Sequence, residues 1–215
     1  MATWSMTETE LSAAVAAHRR GLAEVLSDLP TPSWDVGSLC EGWRVREVVA
    51  HLTMPFRYST ARFVVEMVRS GGRFHRMADR CARRDAAAPT DELVSGLRNN
   101  ATYVWKPPGG SRESGLVHDV VHGLDFTVPL GVSRPIPDQV LGTVLVEITK
   151  PSSLKHFGVD LDGIALSADD LDWTFGSGTP VSGRAEDLVL ALSGRHLPPG
   201  RLRGGPTTLG RERAG

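Results

Sequence analysis

Through most of the first 150 positions, apolar residues recur at helical spacing. Between residues 8 and 28, Leu11, Val15, Leu22, Val25 and Leu26 fall on one stripe, which predicts a helix. Thr7 or Thr9 is placed to cap it, and Pro30 and Pro32 stop it. "TPSWDVGSLCEGW" then reads as an ordered loop that Trp34 and Trp43 pack against the helices. A second helix opens near Trp43 on the stripe Val45, Val48, Val49, Leu52 and Phe56 and runs to Gly71-Gly72, with a kink expected at Pro55. Residues 75 to 86 read as a charged helical stretch. "TDELVSGLRNNATYVW" predicts a third helix from Thr90, broken by "KPPGG". A fourth covers 112 to 130 and is closed by Gly131, and "RPIPDQVLGTVLVEIT" is a fifth.

After Pro151 the texture changes. "VDLDGIALSADDLDWTFGSGTPVSG" alternates in short runs between Gly, Asp and Pro, which predicts two or three short strands joined by turns. "RAEDLVLALSGR" adds a short helix. Residues 198–215 carry little apolar content and are expected to be a disordered tail. The expected layout is mainly α: a helical bundle over 1–150, then a small α/β domain over 151–197.

Composition narrows the function. A chain of 215 residues that is 40% hydrophobic has enough apolar surface for a sizeable core. A net charge of −1 lacks the basic footprint of a nucleic-acid binder. No run of 18 apolar residues predicts a membrane span, and the N-terminus does not read as a secretory signal. Two cysteines, Cys40 and Cys81, are too few for a disulfide scaffold and fit a reduced, cytoplasmic protein, either monomer or homodimer. The partners expected are small molecules, with no nucleic acid and no membrane.

The candidate chemistry is histidine. His118 and His122 stand four apart on the fourth helix, so they share a face one turn apart. Both border the stripe of Leu116, Val117, Val120, Val121, Leu124 and Val128 rather than fill it. His51 sits similarly beside the stripe of the second helix. Inward-projecting residues on facing helices are how bundles build metal sites. Three imidazoles leave one tetrahedral position open, the pattern of a catalytic zinc. Asp125, three residues after His122, and Glu47, one turn before His51, are placed to take a ring N–H from a ligand histidine and fix its tautomer. Spacing alone does not choose the third ligand, since His18, His75, His156 and His196 are equally available.

Resemblance makes the choice. "SWDVGSLCEGWRVREVVAHLT" resembles the N-terminal signature of the mycothiol-dependent maleylpyruvate isomerase family, a branch of the DinB-like bundles. Its "C-x-G-W" loop and "V-x-x-H-L" helix correspond to Cys40, Gly42, Trp43, Val48, His51 and Leu52. "VHGLDFTVPLG" resembles the second signature through His122, Asp125 and Pro129-Leu130-Gly131, and "VSGRAEDLVLALSGR" resembles the end of the C-terminal domain through Gly194-Arg195. The resemblance implies a DinB-like four-helix bundle followed by a small α/β domain. It implies a divalent metal, typically zinc, on His51, His122 and the residue four before the second histidine. That residue is a glutamate in the isomerase and His118 here, so the set looks more like that of DinB-like thiol transferases and puts maleylpyruvate as substrate in question.

The implied activity is cis–trans isomerisation or S-transfer on a small electrophile, with mycothiol as cofactor or co-substrate. A metal with an open position holds a thiol as thiolate, the nucleophilic form. Arg195 is the family-matched candidate for gripping a substrate carboxylate through its guanidinium fork. No protein nucleophile is expected; Cys40 reads as a packing residue. The alternatives are a non-catalytic ligand-binding module and a zinc-dependent hydrolase.

Overall fold

The computed structural model describes residues 4–206 and residue 209. The chain is mainly α with one small sheet, as expected. Its elements are, in order, α1 (Glu8–Asp28), a 3-10 turn (Thr31–Asp35), α2 (Val45–Arg57), α3 (Thr60–Arg69), α4 (Phe74–Asp85), α5 (Thr90–Asn99), α6 (Arg112–Thr127), α7 (Asp138–Ile148), α8 (Pro151–Phe157), β1 (Ile164–Ala168), β2 (Thr174–Gly176), β3 (Thr179–Gly183), α9 (Ala185–Leu192) and β4 (Leu202–Gly204). By contacts it forms two compact units. One comprises Met1–Leu11, Lys106–Leu124 and Arg134–Gly215, and the other Ser12–Trp105 and Asp125–Ser133.

The Ser12–Trp105 unit is built on α2. Thr7 begins α1 with a capping box: its hydroxyl accepts from Glu10 N at 3.3 Å, and Glu10 accepts from Thr7 N at 2.8 Å. Leu22 and Leu26 of α1, Val45, Val48, Val49 and Leu52 of α2, and Leu93 and Leu97 of α5 form one buried cluster with Phe126. Trp34 and Trp43 belong to that cluster, so the loop between α1 and α2 is packed down by its tryptophans as expected.

The segment read as one kinked helix is two. Pro55 has no N–H for the carbonyl four residues earlier. The chain turns extended at Tyr58, and Ser59 caps a new helix by accepting from Arg62 N at 3.2 Å. Helix α3 is then tied to α4 by charge. Glu66 is the one buried residue of α3 and accepts from Arg84 Nη1 at 2.7 Å and from Arg80. These hydrogen bonds, first from Arg84 and then from Arg80, hold the Glu66 carboxyl down at about 2, against an ordinary 4.5. A depressed carboxyl stabilises the fold above its ordinary range and loses that contribution as pH falls toward the depressed value. In acid-unfolding series, wild type should therefore exceed Glu66→Gln in stability at pH 6. The gap should shrink between pH 4.5 and pH 2.

The other unit carries the sheet, ordered β2-β1-β3-β4, with β1 and β3 parallel and both outer pairs antiparallel. Gly176 lies at φ 75°, and a Cβ there would stand 2.3 Å from the Ile164 carbonyl oxygen, so the turn out of β2 requires glycine. Val181 and Leu166 point into the core beneath α9, whose Leu188, Val189, Leu190 and Leu192 are buried. Two expectations change here. Pro151–Phe157 forms α8 ahead of the strands, closed by Gly158 in the left-handed region. The supposed tail contributes β4, which pairs Leu202 with Gly183, so residues 202–204 are part of the sheet. Residues 207–208 and 210–215 of that tail lie outside the described residues.

Candidate metal centre

The start of α6 is fixed by a polar cluster. Ser111 and Ser114 cap each other's backbone N–H at 3.1 Å, and both hydroxyls donate to Glu147 Oε1 of α7, at 2.9 and 2.7 Å. Lys150 holds the other oxygen of Glu147 at 2.5 Å. Although burial opposes it, these donors keep the Glu147 carboxyl below its usual range. A helix anchored at its first turn presents the side chains one and two turns later in a fixed direction, and those are His118 and His122.

The two rings stand edge to face with centroids 4.8 Å apart. His51, on α2, is buried, and its ring lies 5.1 Å from the Trp43 ring. Among the described residues, His51, His118 and His122 are brought together: one ring nitrogen from each lies within 4.8 Å of the others. Three nitrogens around a tetrahedral zinc at about 2.0–2.1 Å stand roughly 3.3 Å apart. Three neutral imidazole donors grouped this way could hold a divalent cation. Neutral imidazole suits zinc, copper, iron and nickel better than magnesium or calcium.

Of the two supporting carboxylates expected, Glu47 is engaged elsewhere. Glu47 does not serve His51. It accepts from Arg44 N at 2.8 Å and from both the Nε and Nη2 of Arg44, closing the first turn of α2 as a capping box. The residue missed was Asp119. Its carboxylate, 2% exposed, meets His118 Nδ1 at 3.1 Å. A carboxylate on Nδ1 fixes the tautomer that leaves Nε2 as the ligand atom. Asp125 is fully buried, and its carbonyl accepts from Leu39 N at 2.9 Å, joining the α1–α2 loop to the residue after α6's last histidine turn. Replacement of Asp119 by Asn should weaken metal binding about 10- to 100-fold without unfolding the chain. Chelator competition monitored beside circular dichroism checks both parts.

Arg195 is half-buried, and its Nη1 donates to the Ser193 carbonyl at 2.9 Å, at the end of α9. Cys40 is half-buried in a tight turn whose backbone N–H donates to Ser38 Oγ at 3.1 Å, and Cys81 is fully buried in a cluster with Met54 and Met77. Trp43 Nε1 donates to Asp79 at 2.8 Å, which fixes the indole beside His51. No helix among the described residues is long and apolar enough to cross a membrane.

Residues 15–105 match the family model described as the mycothiol maleylpyruvate isomerase N-terminal domain. No curated protein sequence matches the chain. Among solved structures, the fold is similar to the crystal structure of a mycothiol-dependent maleylpyruvate isomerase, with a TM-score of 0.65 and 16% identity over 95% of this chain and 96% of that one. It is also similar to a histidine-to-alanine mutant of such an isomerase, with a TM-score of 0.60 and 16% identity over 91% and 93% of the two chains. The structural likeness concerns the fold, and the domain match concerns the sequence that carries His51. The match over residues 15–105 and the shared fold together support assignment to the mycothiol-dependent maleylpyruvate isomerase family.

Proposed function

We propose that this chain is a metal-dependent cytoplasmic enzyme that uses a low-molecular-weight thiol, mycothiol, in cis–trans isomerisation or S-transfer on a small electrophile. The observation that carries the reading is the grouping of His51, His118 and His122 in a chain whose residues 15–105 match this family. A divalent metal, zinc as the resemblance implies, would be held by these three imidazoles and would keep a bound thiol ionised at neutral pH.

The chain's own residues prepare that chemistry. Asp119 accepts the Nδ1 proton of His118 and so commits Nε2 to the ligand role. Buried Asp125, three residues beyond His122, is proposed to do the same there. The Trp43 indole, fixed by Asp79, covers one side of His51 and excludes water from it. Arg195 is proposed as the anchor for a substrate carboxylate, giving up its Ser193 contact to a bidentate pair. In isomerisation, the thiolate sulfur bonds to one carbon of a conjugated cis double bond, and the π pair moves to the conjugated carbonyl oxygen. The former double bond rotates as a single bond. The pair then returns, the C–S bond breaks and thiolate leaves, giving the trans isomer with thiol regenerated. In S-transfer the C–S bond is kept, and the enolate carbon takes up the proton that the thiol lost on ionising.

His118 stands where the isomerase resemblance places a glutamate, and this favours S-transfer as the second reading. One assay separates the two. Zinc-loaded protein is incubated with a cis-configured conjugated keto acid, with and without mycothiol. Isomerisation requires thiol but does not consume it, whereas transfer consumes one thiol per product. Turnover that is indifferent to thiol would contradict both.

A further inference from the structure

Helix α3 leaves an apolar stripe uncovered. Ala61, Val64, Val65 and Val68 are all exposed, Val64 at 53%, Val65 at 47% and Val68 at 72%. Their spacing, i, i+3, i+4 and i+7, is that of a helix face that seats a second helix. The face is also charged with one sign. From residue 57 to residue 76 there are five arginines and one acid. The acid, Glu66, is buried and taken up by Arg80 and Arg84, with Arg69 at 3.8 Å, while Asp85 of α4 stands 3.1 Å from Arg57 and 3.9 Å from Arg62. Arg62 and Arg69, seven residues apart, flank one edge of the stripe, roughly 100° around the helix from its centre. Beyond the Gly71-Gly72 turn, Arg73 and Arg76 are exposed and have no ion pair among the described residues.

We propose that this face of α3 docks an acidic amphipathic helix of a partner protein, with valines at the seam and arginines against acidic residues of the partner's flank. Three features select that occupant. The seam side chains are short, which lets two helix axes approach within the 8–10 Å of ordinary helix packing. A bilayer-binding face would rely on exposed Trp, Phe or Leu, and this stripe has none. Antiparallel pairing with a second copy would place the Arg62 and Arg69 edge against its own image, since a two-fold interface matches each patch with itself. An acidic flank removes that repulsion and supplies the unpaired partners of Arg73 and Arg76.

The test uses a labelled 21-residue helical peptide with leucine at seam positions and glutamate on both flanks, and a control peptide with lysine flanks. Fluorescence anisotropy should show binding of the glutamate peptide alone, weakening as salt rises. Val68→Asp alters an exposed residue and leaves the fold intact, as circular dichroism will verify. It should reduce affinity roughly tenfold or more, because it sets an unpaired carboxylate into an apolar seam. Arg73→Ala with Arg76→Ala should reduce both affinity and salt dependence. The proposal is overturned if the two peptides bind alike or if Val68→Asp binds like wild type. It is equally overturned if the Val68-sensitive partner is instead a phosphatidylglycerol vesicle, by co-sedimentation, or a second copy of the chain, by sedimentation velocity.

Discussion

Replacing His122 by alanine is expected to leave the chain folded and to strip the proposed centre of its metal. His122 is the middle of the set in chemical terms: its ring meets that of His118 edge to face, and its nitrogen lies within 4.8 Å of those of His51 and His118. Removing a direct ligand should cost more than removing a carboxylate behind one, so affinity should fall by more than the roughly 100-fold upper range for such supporting groups. The metal-free protein should lose little else, since the ring is only partly buried and alanine suits a helix. Metal content after equilibration with a defined free-zinc buffer, beside a thermal melt in chelator, reads the two effects separately. Equal metal content in variant and wild type would remove His122 from the site.

Phe126→Ala should give the largest loss of stability. Phe126 is completely buried in the cluster of Leu22, Leu52, Leu93 and Leu97. Its neighbour Asp125 is also buried and accepts from the Leu39 N–H. A cavity of that size costs about 3–5 kcal/mol. In a chain this long, that should lower the melting temperature by roughly 10 °C. The same change should weaken metal binding, because Phe126 anchors the end of the helix that carries two of the three histidines. Denaturant unfolding and zinc titration of one preparation measure both. A melting point within two or three degrees of wild type would mean that the cluster collapses around the cavity.

How much of this was legible depended on whether the signal was local. Helix α1 was readable to its ends because a continuous stripe, a Thr7 cap and Pro30 coincide. The break after Arg57 was read only as a kink. Pro55 announced the disturbance, but the new start depended on Ser59 and on the burial of Glu66 between arginines from α4. Helix α8 was missed because none of its residues is buried and so it shows no stripe, although Pro151 and Gly158 mark its two ends. Strand β4 buries only Leu202 and owes its existence to β3, which no local pattern reveals.

The site follows the same division. Spacing set His118 and His122 on one face, while His51 came from the family resemblance, because no periodicity relates two helices. Glu47 looked like a support for His51, but an adjacent arginine at the helix start claims it. Asp119 was overlooked because successive residues on a helix point about 100° apart and do not normally face each other. Its contact with His118 is a matter of rotamer.

X-ray absorption at the zinc edge of the zinc-loaded protein tests the proposed centre most directly. The account predicts one zinc per chain with three imidazole nitrogens at about 2.0–2.1 Å and one exchangeable light ligand. Addition of thiol should replace that light ligand with sulfur at about 2.3 Å. A spectrum with fewer than three imidazoles, or one that thiol leaves unchanged, would contradict it.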